Sequence, residues 1–142
     1  SLAEGIPVVL MEALALRRVG SYQLQAAIAA VHAEASTAEE TDWSQIVALY
    51  RELMRITVSP VVALNHAAAV AMSEGAAEGL SLIDGLCLGG ALDNYYLLHA
   101  SRADLLRRLA RSDEARAAYE KALSLTTNLV EQRYIQRRLS EL

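Results

Sequence analysis

Phenylalanine is absent from this 142-residue chain, cysteine occurs once (Cys87) and proline twice (Pro7 and Pro60). A single cysteine excludes a disulfide scaffold and fits a cytoplasmic setting. So few prolines leave long stretches in which nothing interrupts a helix. Aromatic residues make up 5% of the chain, which disfavours a strand-built core. No apolar run is long enough to cross a bilayer, so no membrane contact is expected. The apolar stretch 6–16 contains Glu12, and its basic pair Arg17-Arg18 follows the run, the reverse of a signal peptide. Bases are missing altogether from residues 61–98, which hold four acids. Residues 1–60 hold seven acids and four bases, and residues 99–142 hold six acids and nine bases. The net charge of −4 argues against this chain wrapping nucleic acid by itself, while its uneven spread suggests a docking surface with polarity.

Alanine (26) and leucine (23) are the abundant residues, and both are strong helix formers. The 54% hydrophobic content is enough to offset the entropy of ordering and excludes disorder. Apolar residues recur at helical spacing with short breaks. The stripe Ile6, Val9, Leu10, Ala13, Leu16 predicts a lead-in helix within residues 1–20, ended by Gly20. Further helices are predicted over 22–35, over 43–53 with Thr41 or Asp42 as cap, and from Ser59-Pro60 to Glu74-Gly75. Residues 76–86 form the next, followed by 85–90 as the loosest linker. The last three run over 93–109 with Asp93 or Asn94 as cap, over 114–125 capped by Ser112-Asp113, and from Leu129 onward capped by Asn128.

These helices fall into a repeat. In D-E-A-R-A-A-Y-E-K-A-L-S-L (113–125), Ala115, Tyr119 and Ala122 stand in the small–aromatic–small order of a tetratricopeptide repeat's second helix. Small residues allow close helix approach and the ring fills the gap between layers. Ala103 takes the small position of the preceding helix, and residues 61–75 with 76–86 repeat the plan 35 or 36 positions upstream. Thr127 and Leu106 depart from the repeat's usual proline and aromatic. The predicted fold is all-α: a single domain, residues 1–142, forming an α-α superhelix of about eight helices. Its parts are a lead-in helix (1–20), helix pairs at 21–56, 60–87 and 93–125, and a capping helix at 128–142. An ordinary helical bundle is the competing architecture.

Motifs for nucleotide, zinc, redox or serine-hydrolase chemistry do not occur, so no catalytic residue, metal or cofactor is expected. His32, His66 and His99 recur once per repeat but occupy different helical turns and should not converge on a metal. Cys87, with no base beside it, reads as a small buried hydrophobe. In such an array the first helix of each pair lines the concave surface. Tyr22, Gln25, Ala29 and His32 share one face, as do Val62, Asn65, Ala69 and Met72, and Leu97, Ala100, Asp104 and Arg107. The polar members Tyr22, Gln25, His32, Asn65, Asp104 and Arg107 are candidates for gripping a peptide or helix. The competing possibility is that they only solvate a groove or pair with one another. Asp42, Trp43, His99 and Arg102 are assigned structural roles, the last two as partners of Asp84 or Asp93.

Four ordered blocks carry a resemblance: S-Y-Q-L-Q-A-A-I-A-A-V-H-A-E-A (21–35), T-D-W-S-Q-I-V-A-L-Y (41–50), S-P-V-V-A-L-N-H-A-A-A-V-A (59–71) and Y-Y-L-L-H-A-S-R-A-D-L-L-R-R-L-A-R (95–111). With A-L-A-L-R-R-V-G (13–20) as lead-in, they resemble the tetratricopeptide-like C-terminal extension of extracytoplasmic-function sigma factors of bacterial RNA polymerase. The family usually has Arg at His66, and Gly at Asn94 and Ala110; Pro7 is also unusual. The resemblance implies a piece of a longer transcription initiation factor, whose preceding regions bind core polymerase and promoter DNA. The extension itself is implied to contact the sigma regions of the same polypeptide, or the polymerase, and to reach DNA only through those regions. Two other functions stay open: a free-standing peptide-binding scaffold, distinguished by what the reading frame encodes upstream of Ser1, and a small-ligand sensor, distinguished by a ligand-dependent rise in melting temperature.

Overall fold

The computed structural model describes residues 20–142, which contain seven α-helices, one 3-10 turn and no strand. The predicted lead-in helix lies outside the described residues. In chain order the helices are α1 (Ser21–Glu34), α2 (Trp43–Ile56), α3 (Pro60–Glu74), α4 (Ala76–Gly89), α5 (Tyr96–Arg108), α6 (Ser112–Leu125) and α7 (Leu129–Ser140), with the 3-10 turn at Ala38–Glu40. The repeat is written into these limits, because α5 and α6 begin 36 residues after α3 and α4. The chain is therefore all-α and built of adjacent packed helix pairs. None of the described helices is long and apolar enough to cross a membrane.

Two compact units divide between Ser73 and Glu74. In the first, α1 packs on α2. Leu24, Ala27, Ile28 and Val31 form the buried stripe of α1, and Ile46, Val47, Leu49 and Leu53 that of α2, with Ala69 and Val70 from α3 completing the cluster. The i, i+3, i+4, i+7 spacing of the first set turns one face of α1 inward. In the second unit α4 packs on α5, α5 on α6 and α6 on α7. Ala103, Ala115, Tyr119 and Ala122 are all completely buried, as close helix approach at small positions demands. Leu106, in place of the usual aromatic, is equally buried. Each fully buried leucine contributes roughly 1.5–3 kcal/mol.

Side-chain caps set the starts of α2, α3 and α7. Asp42 caps α2, its carboxylate accepting from the Gln45 backbone N–H at 3.1 Å. Asn128 caps α7 by accepting from the Val130 and Glu131 amides, and Ser59 Oγ accepts from the Val62 amide ahead of Pro60 at the first helical position. Three sequence expectations are corrected. Residues 85–89 are not a linker: α4 runs through them and stops at Gly90, whose φ of 76° is left-handed. Gly85 and Gly89 lie inside this helix, and Leu86 and Cys87 between them are half-buried. Neither Asp93 nor Asn94 caps α5. The chain turns there instead, with the Asp93 amide donating to Gly90 O and the Tyr95 amide to Leu92 O, and α5 starts at Tyr96 without a side-chain cap. Ser112 and Asp113 do not cap α6 either, since the helix begins at Ser112 itself, and Arg111 before it makes a two-bond pair with Glu114 (3.0 and 2.7 Å).

Helix α5 ends in a complete Schellman motif. The Arg111 amide donates to Leu106 O at 2.9 Å and the Ala110 amide to Arg107 O at 3.0 Å. The residue forced into the left-handed region is Ala110, with φ of 59°. The other described residues with positive φ are glycines, Gly75 (113°) and Gly90 (76°).

Candidate interaction groove

The first unit holds an open cleft. One part, about 400 Å³, is lined by Gln25, Ala29 and His32 from α1, Tyr50 and Leu53 from α2, and Val62 and Asn65 from α3. The second, about 220 Å³, shares His32, Tyr50 and Asn65 and adds Trp43, Ala68, Ala69 and Met72. The two helix faces proposed from spacing thus meet across α2: Gln25, Ala29 and His32 on one side, Val62, Asn65, Ala69 and Met72 on the other. The 3.6-residue period places i, i+4 and i+7 on one stripe, and the core residues Leu53 and Ala69 form part of the cleft's floor.

Aromatic rings give the cleft its character. His32 meets Trp43 edge to face, with centroids 5.3 Å apart and planes at 78°. Tyr50 is half-buried and its phenol is pushed up by loss of water around it. Gln25 and Asn65 are exposed amides, each able to donate and accept as a peptide group does. At the Trp43 end, Asp42 also accepts from Ser44 Oγ at 2.8 Å and Gln45 Nε2 at 3.1 Å. The Ser44 hydroxyl first, then the Gln45 backbone amide, hold its carboxyl below the usual range.

The remaining groove candidates lie elsewhere. Tyr22, on the first turn of α1, is 81% exposed and does not line the cleft. Asp104 and Arg107 belong to the second unit, where they are engaged with neighbouring side chains. Asp104 accepts from Tyr119 Oη at 2.5 Å and from Tyr134 Oη at 2.8 and 2.9 Å. Arg107 Nε donates to Tyr119 Oη at 3.1 Å, and Arg138 Nε to Tyr134 Oη at 3.4 Å. Each phenol therefore gives its proton to the carboxylate and receives one from an arginine, tying α5, α6 and α7 together. Burial first, then the bond to Asp104, pushes the Tyr119 phenol well up. Burial, with the charges of Glu131 and Asp104, raises Tyr96 to about 12. His99 donates from Nε2 to the Asp93 carbonyl oxygen at 2.7 Å, and Arg102 Nε pairs with Asp84 at 2.8 Å. Cys87 is half-buried, and burial raises its thiol. Among the described residues no group of three or more His, Cys, Asp or Glu could hold a metal.

Tyr50 and Tyr134 were not among the residues the sequence singled out for a site. Tyr50 sits in the broad apolar stripe of α2 and reads as core. Tyr134 carries a signal only in retrospect, because a half-buried tyrosine hydroxyl takes a polar partner.

An uncharacterized protein of Rhizobium meliloti (strain 1021) is 45% identical to this chain over 131 residues. The match takes in 92% of the chain and 30% of the relative, so the chain spans less than a third of that protein's length. No known family profile matches the chain, and no solved structure matches it.

Proposed function

We propose that this chain is a C-terminal regulatory domain of an extracytoplasmic-function sigma factor, acting in the cytoplasm by contacting the sigma regions or core polymerase rather than DNA. The observation that carries the reading is the cleft of the first unit. Two helix faces bring Gln25, His32 and Asn65 to one surface, with aromatic side chains beside them. Such a surface offers hydrogen bonds for a peptide backbone and apolar area for its side chains. The four sequence blocks support the same reading, as does a relative more than three times the length of the match. Bases are absent from residues 61–98, and this complements the basic surface of a region that binds DNA.

The mechanism is a bias between two arrangements. The domain shifts the sigma regions toward or away from a polymerase-competent form by as much as its affinities for the two forms differ. Titrating the separately expressed sigma regions of the longer polypeptide with this chain, followed by calorimetry, tests the contact. Saturable binding is expected, weakened about fivefold by Asn65→Ala through loss of a hydrogen-bonding amide. Absence of binding, or binding indifferent to Asn65, contradicts the assignment of the cleft.

A further inference from the structure

We infer that α7 is a detachable strap, latched to the second unit by the Asp104 carboxylate and released without unfolding of α5 and α6. Burial is uneven across these helices. Helix α5 buries five side chains and α6 four, whereas α7 buries only Ile135. Leu129 and Val130, at the start of α7, are 63% and 74% exposed, and Leu139 near its end is half-buried. An element with little buried apolar surface opens at a lower free energy than the core on which it lies. Among the described residues, the polar tie from α7 to another helix is Tyr134 Oη, which donates to Asp104 of α5 at 2.8 and 2.9 Å.

The other bonds of α7 travel with it. Its cap, Asn128, and the pair Arg138–Glu141 are local to the helix. So are the Arg137 and Arg138 guanidiniums over the Tyr134 ring, at 5.7 and 5.4 Å. Thr126 Oγ1 donates to Glu131 at 2.6 Å and Gln132 Nε2 to Thr126 O at 3.2 Å, both at the hinge 126–128, where Thr126 and Asn128 are extended. A swing about this hinge therefore lifts Ile135 and parts Tyr134 from Asp104. The carboxylate suits a latch because its side chain is 27% exposed and retains Tyr119 as a donor. Water replaces Tyr134, so no buried charge is left unpaired when the strap opens. The second unit thus has two surfaces, one covered by α7 and one presenting Asp104 and the slot of Ile135.

Native-state hydrogen exchange of the full chain, resolved amide by amide, tests the inference. Protection factors in α7 are expected to lie at least about tenfold below those of Ala118, Tyr119 and Ala122 in α6. They should also respond little to low concentrations of urea, because a local opening exposes little surface. Tyr134→Phe removes the latch and keeps the ring. Exchange in α7 should then quicken about tenfold, with α5 and α6 unchanged. Tyr119→Phe makes the same chemical change inside the packed pair and should quicken α5 and α6. A single protection factor and urea dependence shared by α6 and α7 would overturn the inference. So would a Tyr134→Phe variant that quickens all three helices alike, or one that leaves α7 unchanged.

Discussion

At the scale of single residues, two positions carry consequences out of proportion to their size. Ala110 holds the left-handed position of a Schellman motif, a conformation that costs an L-residue roughly 1–2 kcal/mol and glycine almost nothing. Ala110→Gly is therefore expected to stabilise the chain by about 1 kcal/mol in urea unfolding, the reverse of the usual effect of introducing glycine into a helical protein. No gain would show that the strain is relieved elsewhere. Asp42 is the second position. Asp42→Ala should cost about 1 kcal/mol, and Asp42→Asn much less, because asparagine caps nearly as well. Since folding lowers the Asp42 carboxyl below its ordinary 3.8, its contribution is complete above that pH and is lost as acid titrates the folded form. Wild type and Asp42→Ala should thus converge in melting temperature as acid titrates the lowered carboxyl of the folded form. A difference that persists there would assign the cap's effect to something other than the carboxylate.

At the scale of elements, the second unit depends on phenols that do not ionise. Tyr96 titrates at about 12 and Tyr119 higher still, both mainly through burial. A raised folded value means the stabilisation is complete below the unfolded value near 10 and disappears as pH climbs through the folded ones. Melting temperature should fall steeply above pH 10. In Tyr119→Phe the alkaline fall should be shallower, and at neutral pH the variant should be less stable by about 1–2 kcal/mol, because Asp104 and Arg107 lose a shared partner. An unchanged alkaline slope would remove Tyr119 from the account. Helix identity was legible in the sequence because it follows from short-range facts: the apolar period of α1 and α2, Pro60 at a first turn, Asp42 and Asn128 as caps. The errors fell where distant packing decides. Gly85 and Gly89 look like a linker until Leu86 and Cys87 are seen to be half-buried in α4. Asp104 and Arg107 share a helix face with groove residues of other repeats, but only the fold shows Tyr119 and Tyr134 closing on them. Gln25, His32 and Asn65, which the helical period puts on exposed faces, line the cleft of the first unit. Tyr50 escaped notice because one side chain serves both core and cleft.

At the scale of the whole molecule, the described chain carries two compact units of different character: a cleft with aromatic and amide side chains in the first, and a polar network in the second. Its relative continues well beyond the matched segment, which suits a module working on the rest of a larger polypeptide. A regulatory domain is defined by coupling, and couplings of this kind change an output by roughly 5- to 150-fold. The most direct measurement is run-off transcription with core polymerase, comparing the full-length parent with a version stopped just before Ser1, both shown to be folded. The account predicts that transcript yield differs between them by at least about fivefold, a loss marking an activating domain and a gain an inhibitory one. Equal yield from the two proteins would contradict it.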